Sequence, residues 1–311
     1  MERIKYRTGI YGSEADIAEN FIAKYPESPR TPSLLFELAR FYKTVGKTDD
    51  AIEKYRILIN NPLYHAYADS AVFLIADSYV ETGQRDTAAL YLIRTAEESL
   101  NPERSQRMYF KLGSLNEAWE RYDEAIGWYD SALAADGSYD LSFRALWGIG
   151  RTFKALNRWF EASKTFERLI ADFSDHPQIL DIYLVLADVY FLQGRIESSI
   201  DTAEKAAALA DGERKNEILL FVAELYEDID EEHALSLYSM IYNDTSNAPK
   251  HRTKALMQFG DLSLRAGKRT EALNAYNRIL SEDADSVTVI RVKEKISNIS
   301  ERSVNDNLPH E

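Results

Sequence analysis

The chain has 311 residues, no cysteine and a formal net charge of −14. Without cysteine there are no disulfides, Cys-based zinc sites or thiol nucleophiles, and an acidic protein repels phosphate backbones, so nucleic acid is not an expected partner. No apolar run is long enough to span a bilayer, and MERIKYRTGIYGSE lacks the apolar stretch of a secretory signal. As written the sequence reads as soluble and cytoplasmic, and as periplasmic or cell-envelope if a signal sequence precedes it.

The charge is uneven: residues 1–160 hold 20 basic and 23 acidic side chains, whereas 161–311 hold 17 and 28. A second regularity organises the whole chain. Small residues at Ala51, Ala88, Ala125, Ala162 and Ser199 stand 37 apart, and the steps on to Ala234 and Ala272 are 35 and 38. A period of this length marks stacked copies of one supersecondary unit.

Residues 1–31 read as half of such a unit. The alanine slot falls at Glu14 and apolar slots at Ala18, Phe21 and Ile22, followed by a stop at Tyr25-Pro26. This would be a second helix whose partner precedes Met1, leaving Ile17 and Phe21 in need of cover. Either MERIKYRTGIYG folds back over them or the chain belongs to a longer array.

Seven units follow over 32–285, starting near Pro32, Asp69, Gln106, Phe143, Leu180, Asn216 and Thr253. In the first helix of each, apolar residues recur at i, i+3, i+4 and i+7, one stripe of a helix. Leu35, Leu38, Ala39 and Tyr42 form the first such stripe, and Val72, Ile75, Ala76 and Tyr79 the next. The small members (Ala39, Ala76, Gly113, Gly150, Ala187, Ala223, Gly260) would let two antiparallel helices approach, against alanines such as Ala51. Four residues after that second-helix slot comes a large side chain, Tyr55, Leu92, Tyr129, Phe166, Tyr238 or Tyr276, to fill the space between units. Gly46, Gly83, Asn157, Gly194 and Gly267 sit where a left-handed residue ends the first helix. Glu120 departs from that rule, and YEDIDEEHALSLY has lost a residue at its turn. Residues 286–300 read as a capping helix, with Val289, Val292, Ile296 and Ile299 inward and Lys293 and Glu294 outward; 301–311 read as disordered.

These residues (Leu38-Ala39, Tyr42, Gly46, Ala51, Tyr55 and Pro62, with later copies such as Leu112-Gly113, Ala125, Tyr129 and Ala132) resemble the tetratricopeptide repeat family across nearly the whole chain. The usual unit has about 34 residues; this one is longer in the loop between units. Phrases such as FIAKYPESP resemble the bacterial cell-envelope branch. The resemblance implies an all-α fold, a right-handed α-solenoid of antiparallel helix pairs, with first helices lining a concave groove that takes a peptide or protein segment.

On the stripe that would face that groove stand Phe36, Phe73, Phe110, Trp147, Leu184, Leu220 and Met257. They read either as filling between neighbouring first helices or as a hydrophobic ladder for a partner. The polar members change sign: Arg107, Arg144, Arg151 and Lys154, then Asp181, Asp188, Glu217, Glu224, Glu227 and Asp228. They read either as solvated surface or as walls that orient a charged partner. One subtype of the family grips a terminal carboxylate with lysine and asparagine; here Phe36 and Arg40, or Phe73 and Asp77, stand in those slots.

No HExxH, phosphate-binding glycine loop or G-x-S-x-G occurs. His65, His176, His233, His251 and His310 lack ligand spacing and read as surface or turn residues. No cofactor or metal is expected. The function expected is a non-enzymatic interaction scaffold without membrane insertion, its N-terminal half-repeat offering a surface for self-association. The alternative is an accessory or regulatory region of a larger protein, an envelope assembly factor or a multidomain enzyme.

Overall fold

The computed structural model describes residues 12–245, 247–282 and 285–305. Among these the chain forms 16 α-helices and no strand. Helix α1 is Gly12–Lys24, and helix pairs follow: α2 and α3 (Thr31–Thr44, Thr48–Asn60), α4 and α5 (His65–Glu81, Arg85–Glu97), α6 and α7 (Pro102–Ala118, Tyr122–Ala135). Next come α8 and α9 (Tyr139–Ala155, Trp159–Asp172), α10 and α11 (Ile179–Leu192, Ile196–Leu209), and α12 and α13 (Gly212–Tyr226, Glu231–Asn243). The last pair is α14 and α15 (Pro249–Arg265, Arg269–Ser281), followed by α16 (Ser286–Asn305). The chain divides into two compact units, Met1–Thr152 and Phe153–Glu311. Within each, a helix packs on its sequence neighbours, as α6 does on α7 and α14 on α15. The all-α architecture of stacked helix pairs is thus the one expected.

Its cause is visible in the packing. Ala51, Ala88, Ala125, Ala162, Ser199, Ala234 and Ala272 are fully buried, and so, to within 1%, are Tyr55, Leu92, Tyr129, Phe166, Tyr238 and Tyr276. The glycines are what let the tyrosines in. A Cβ on Gly113 would lie 2.5 Å from the Tyr129 ring, and one on Gly148 would lie 2.6 Å from the opposite side of that ring. Gly260 stands in the same relation to Tyr276, at 2.6 Å. Small residues on two first helices therefore clamp one aromatic from a second helix, and packing at this density tolerates no added methyl.

The turns hold one surprise. Gly46, Gly83, Asn157, Gly194 and Gly267 all have positive φ, and Glu120 takes the same left-handed conformation at φ 61° despite its side chain. In the shortened sixth turn Asp230 instead caps α13, accepting from His233 N at 3.0 Å.

Other boundaries and burials depart from expectation. First helices begin one to four residues early, at Thr31, His65, Pro102, Tyr139, Ile179, Gly212 and Pro249. Pro102 and Pro249 suit a first helical position, which needs no N–H donor, and the Asn101 side chain caps α6 by accepting from Glu103 N at 2.9 Å. Helix α16 runs to Asn305, past the boundary expected at 300, since ERSVN contains no breaker before Pro309; residues 306–311 lie outside the described residues. Near the N-terminus, Glu14 is exposed rather than packed, and Ala15 and Ala18 are the residues buried on Leu38. A carboxylate stays hydrated where a methyl can pack without desolvation cost. Ile17 remains 67% exposed, and the proposed cover, MERIKYRTGIYG, is outside the described residues except for Gly12. Two histidines expected at the surface or in turns are buried: His176, in the turn between α9 and α10, whose Nδ1 accepts from Gln178 N at 3.2 Å, and His251, in α14, packed within 3.3 Å of Glu217. A hydrogen-bond partner for one ring nitrogen offsets part of the cost of burying each imidazole, and the Nδ1 of His251 is buried without one. At the other end, Val292 and Ile299 cover Ala272, Ala275, Tyr276 and Ile279, while Lys293 and Glu294 face water.

Candidate functional site

The core stripe of each first helix packs on second helices, as Leu38 does on the preceding one and Leu35 and Ala39 on their own partner, which leaves the adjoining stripe at the edge of the core. Phe36, Phe73, Phe110, Trp147, Leu184 and Met257 are all partly buried there. Phe36 meets Tyr55 edge-on with centroids 6.0 Å apart, Phe110 lies 5.6 Å from Tyr129, and Trp147 lies 5.6 Å from Phe143. Each thus packs on the core with part of its surface and shows the rest. Leu220 is the exception among the expected ladder residues. It is 2% exposed and belongs to a cluster with Ala223, Ala234 and Ala255, small neighbours that leave room for it inside.

The charges of the same surface are tied across adjacent first helices. Arg107 meets Asp69 at 3.5 Å and Glu103 at 2.6 Å; Arg151 meets Glu117 at 2.9 Å; Lys154 pairs with Asp188. Asp181 pairs with Arg214, Glu224 with Lys254 at 2.9 Å, and Glu227 with Arg265. Glu217 approaches His251 at 3.3 Å. Arg144 stands 3.9 Å from Asp140 and places its guanidinium over the Phe110 ring, 4.7 Å from the centroid. Exposed pairs of this kind are each worth only about 0–1 kcal/mol, yet they offset much of the one-sign character expected of the two walls. Sequence reasoning missed Glu117, Arg265 and Lys295, and it placed Asp69 only as a unit start and Asp77 only in a clamp slot; the signal of all five is an opposite charge roughly one repeat away.

A further arrangement joins core to surface. The hydroxyl of Tyr129 donates to Glu117 Oε2 at 2.7 Å, that of Tyr238 to Glu227 at 2.7 Å, and that of Tyr276 to Asp261 at 2.5 Å. Each carboxylate also holds a cation from the following first helix: Arg151, Arg265 and, at 2.7 Å, Lys295. Burial, then the adjacent carboxylate, pushes all three phenols well above the ordinary tyrosine range. In the first pair, Lys43 occupies the position of Glu117, and the buried Tyr55 hydroxyl has no hydrogen-bond partner. Burial alone is the leading cause that raises Tyr55 to about 12.

Open recesses lie between consecutive first helices. In the first unit, a recess of about 410 Å³ between α4, α6 and α8 has Phe73, Phe110 and Leu141 with Arg107, Lys111 and Arg144 around them. In the second unit, about 750 Å³ between α10 and α12 is lined by Leu184 and Phe221 with Asp188, Glu213, Arg214 and Glu217. Another of about 640 Å³ joins α14 to the start of α16 around Met257, with Lys250, Lys254, Asp261 and Arg291. A recess of about 730 Å³ lies between α1 and α2 at Ile17, Ala18, Phe21 and Leu34. Among the described residues, no three His, Asp or Glu side chains are placed to hold a metal ion, and no helix is long and apolar enough to cross a membrane.

Residues 73–140 and 148–214 match the family model described as tetratricopeptide repeat. No curated protein matches the sequence. Among solved structures, YrrB, described as a TPR protein with an unusual peptide-binding site, is 18% identical over 60% of this chain and 91% of its own, with a TM-score of 0.44. A tetratricopeptide repeat protein from Parabacteroides merdae ATCC 43184 is 18% identical over 94% of this chain and 96% of its own, with a TM-score of 0.38. Naa15/Naa10 bound to HypK-THB is 17% identical over 81% of this chain and 37% of the matched one, with a TM-score of 0.50, a likeness of fold alone. By its helix pairs and packing slots the chain is a stack of helical repeats, of which residues 73–140 and 148–214 are tetratricopeptide repeats.

Proposed function

We propose that the chain is a non-catalytic scaffold that binds a peptide or protein segment on the surface of its first helices. The observation that carries this reading is the placement of the recesses. Those in the repeat array are lined by first helices, each with apolar side chains flanked by charged ones: Phe73 and Phe110 in one, Leu184 and Phe221 in another, Met257 in a third. A concave, apolar surface with a few polar groups converging on it is the usual form of a binding site, and repeat stacks commonly present such surfaces. Tetratricopeptide repeats are in general interaction modules rather than catalysts. Phe36, Trp147 and Arg151 belong to this proposed surface in the first unit, and Lys154, Asp181, Asp188 and Glu224 in the second.

The test is selection of random peptides on the intact chain, followed by affinity measurement with Phe110→Ala, Trp147→Ala and Leu184→Ala. A buried aromatic anchor is the usual hot spot, so loss of one should weaken binding about 30-fold or more. Selection that yields no peptide above background, or peptides indifferent to all three substitutions, would remove the proposal.

A further inference from the structure

We infer that the recess between α4, α6 and α8 is a subsite for an acidic side chain flanked by an apolar residue, within an internal stretch of the bound peptide. This rests on the reading of the first-helix surface as a peptide-binding surface and adds the chemistry of what it takes.

Three basic side chains reach this recess, and they are not equivalent. Arg107 is held by Glu103 at 2.6 Å and Asp69 at 3.5 Å, and Lys111 by Asp77 at 2.8 Å. Arg144 has the longest ion pair of the three, 3.9 Å to Asp140, beyond hydrogen-bond distance, and its side chain is 52% exposed. What positions it is Phe110, whose ring centroid lies 4.7 Å from the guanidinium carbon. A cation over an aromatic ring is held by the ring's quadrupole rather than by a matched acceptor. The N–H groups of its edge then remain for a planar acceptor, which a carboxylate meets in bidentate fashion.

The surroundings favour the same occupant. Ser138, Asp140 and Leu141, at the start of α8, form one wall, so the positive end of that helix adds to Arg144. Phe73, Phe110 and Leu141 supply an apolar floor for the residue beside the acid. Asp140 is the resident acid, well exposed at 64%, and an incoming carboxylate competes with it for Arg144. In the other unit, the recess of α10 and α12 places Asp188, Glu213 and Glu217 with Arg214 beside Leu184 and Phe221, so acids outnumber bases there, the reverse of the recess at Arg144, and an acidic side chain is disfavoured. The two recesses therefore differ in the charge they accept.

The experiment uses random peptides displayed through their C-termini, so that no free terminal carboxylate is present, and selected on the intact chain. Selected peptides should be enriched in Asp or Glu next to an aromatic or aliphatic residue. For a synthetic peptide from that pool, Glu→Gln in the peptide and Arg144→Gln in the protein should each weaken binding about 10-fold or more, the size expected of a charged hydrogen bond. Arg144→Lys should fall between, and Asp140→Asn should strengthen binding severalfold because the competitor is removed. Arg168→Gln, the same charge change on α9, should have no effect. Opposite signs at Arg144 and Asp140 would not arise from loss of structure. Peptides without acidic bias, peptides that bind Arg144→Gln as well as Arg168→Gln, or binding confined to peptides with a free C-terminus would overturn the subsite while the binding surface stands. Failure to select any peptide would overturn both.

Discussion

Tyr129 is 1% exposed, yet its hydroxyl reaches Glu117 Oε2 at 2.7 Å on the surface of α6. The same oxygen accepts from Arg151 at 2.9 Å, so a core aromatic on α7, a carboxylate on α6 and a cation on α8 form one continuous link between two repeats. Removing the carboxylate leaves a buried hydroxyl unpaired, which costs more than removing both partners. Glu117→Ala should therefore destabilise by about 1–3 kcal/mol and Tyr129→Phe by about 0.5–1.5 kcal/mol. In a urea-unfolding double-mutant cycle, Tyr129→Phe should cost less once Glu117 is gone; strict additivity would show that the link is not coupled.

The tyrosines also set the alkaline limit of the fold. Burial foremost pushes Tyr55 and Tyr91 up to about 12, and Tyr129, Tyr238 and Tyr276 are raised further. An unfolded tyrosine titrates near 10. The folded chain thus keeps protons that the unfolded chain releases, so this stabilisation is full below about pH 10 and is lost as pH rises toward and through the folded values. Tyrosinate absorbance should rise in the same cooperative step as the loss of helical circular dichroism. A gradual tyrosinate titration with helicity intact would contradict this.

The glycine clamp makes a sharper claim, because Gly113 and Gly148 should respond in the opposite direction to Gly127. Gly113→Ala and Gly148→Ala put a methyl 2.5 and 2.6 Å from the Tyr129 ring, and overpacking of this kind costs about 1–3 kcal/mol. Gly127, inside α7, has no atom within 4 Å of where a Cβ would be. Gly127→Ala should stabilise by about 0.5–1 kcal/mol through helix propensity alone. Thermal melts of the three variants suffice, and equal shifts would sink the clamp. Ala125→Leu, at a fully buried slot of the same pair, should resemble Gly113→Ala.

Helix α16 should behave as a cap. Val292 and Ile299 are buried on Tyr276 and Ile279, so truncation after Ser281 strips apolar cover from the last pair. Light scattering should show concentration-dependent association of the truncated chain. A monodisperse, fully soluble product with an unchanged melt would make α16 dispensable.

Much of this fold was legible in the sequence because its determinants repeat locally. Ala51 and Tyr55 lie four residues apart on one helix, and Ala39 on the preceding one, so a small-against-large pattern copied down the chain implies the pair and its packing without long-range information. The left-handed turn at Glu120 was not legible: a glutamate there has no preference for that conformation, and α6 and α7 hold it in place from both sides. Nor was the burial of Leu220, which shares its register with the partly exposed Phe73 and Phe110 but meets Ala223, Ala234 and Ala255. The charged residues show the division most clearly. The sequence by itself determined that Arg144 and Arg151 share a helix face, since a 3.6-residue period is a property of one helix, and that Arg107 holds the place of Arg144 one 37-residue step earlier. Which of them is matched by an acid was decided only when neighbouring helices brought Asp69 and Glu117 within reach and left Arg144 over Phe110, because ion pairing depends on distances of a few ångströms between residues roughly one repeat apart.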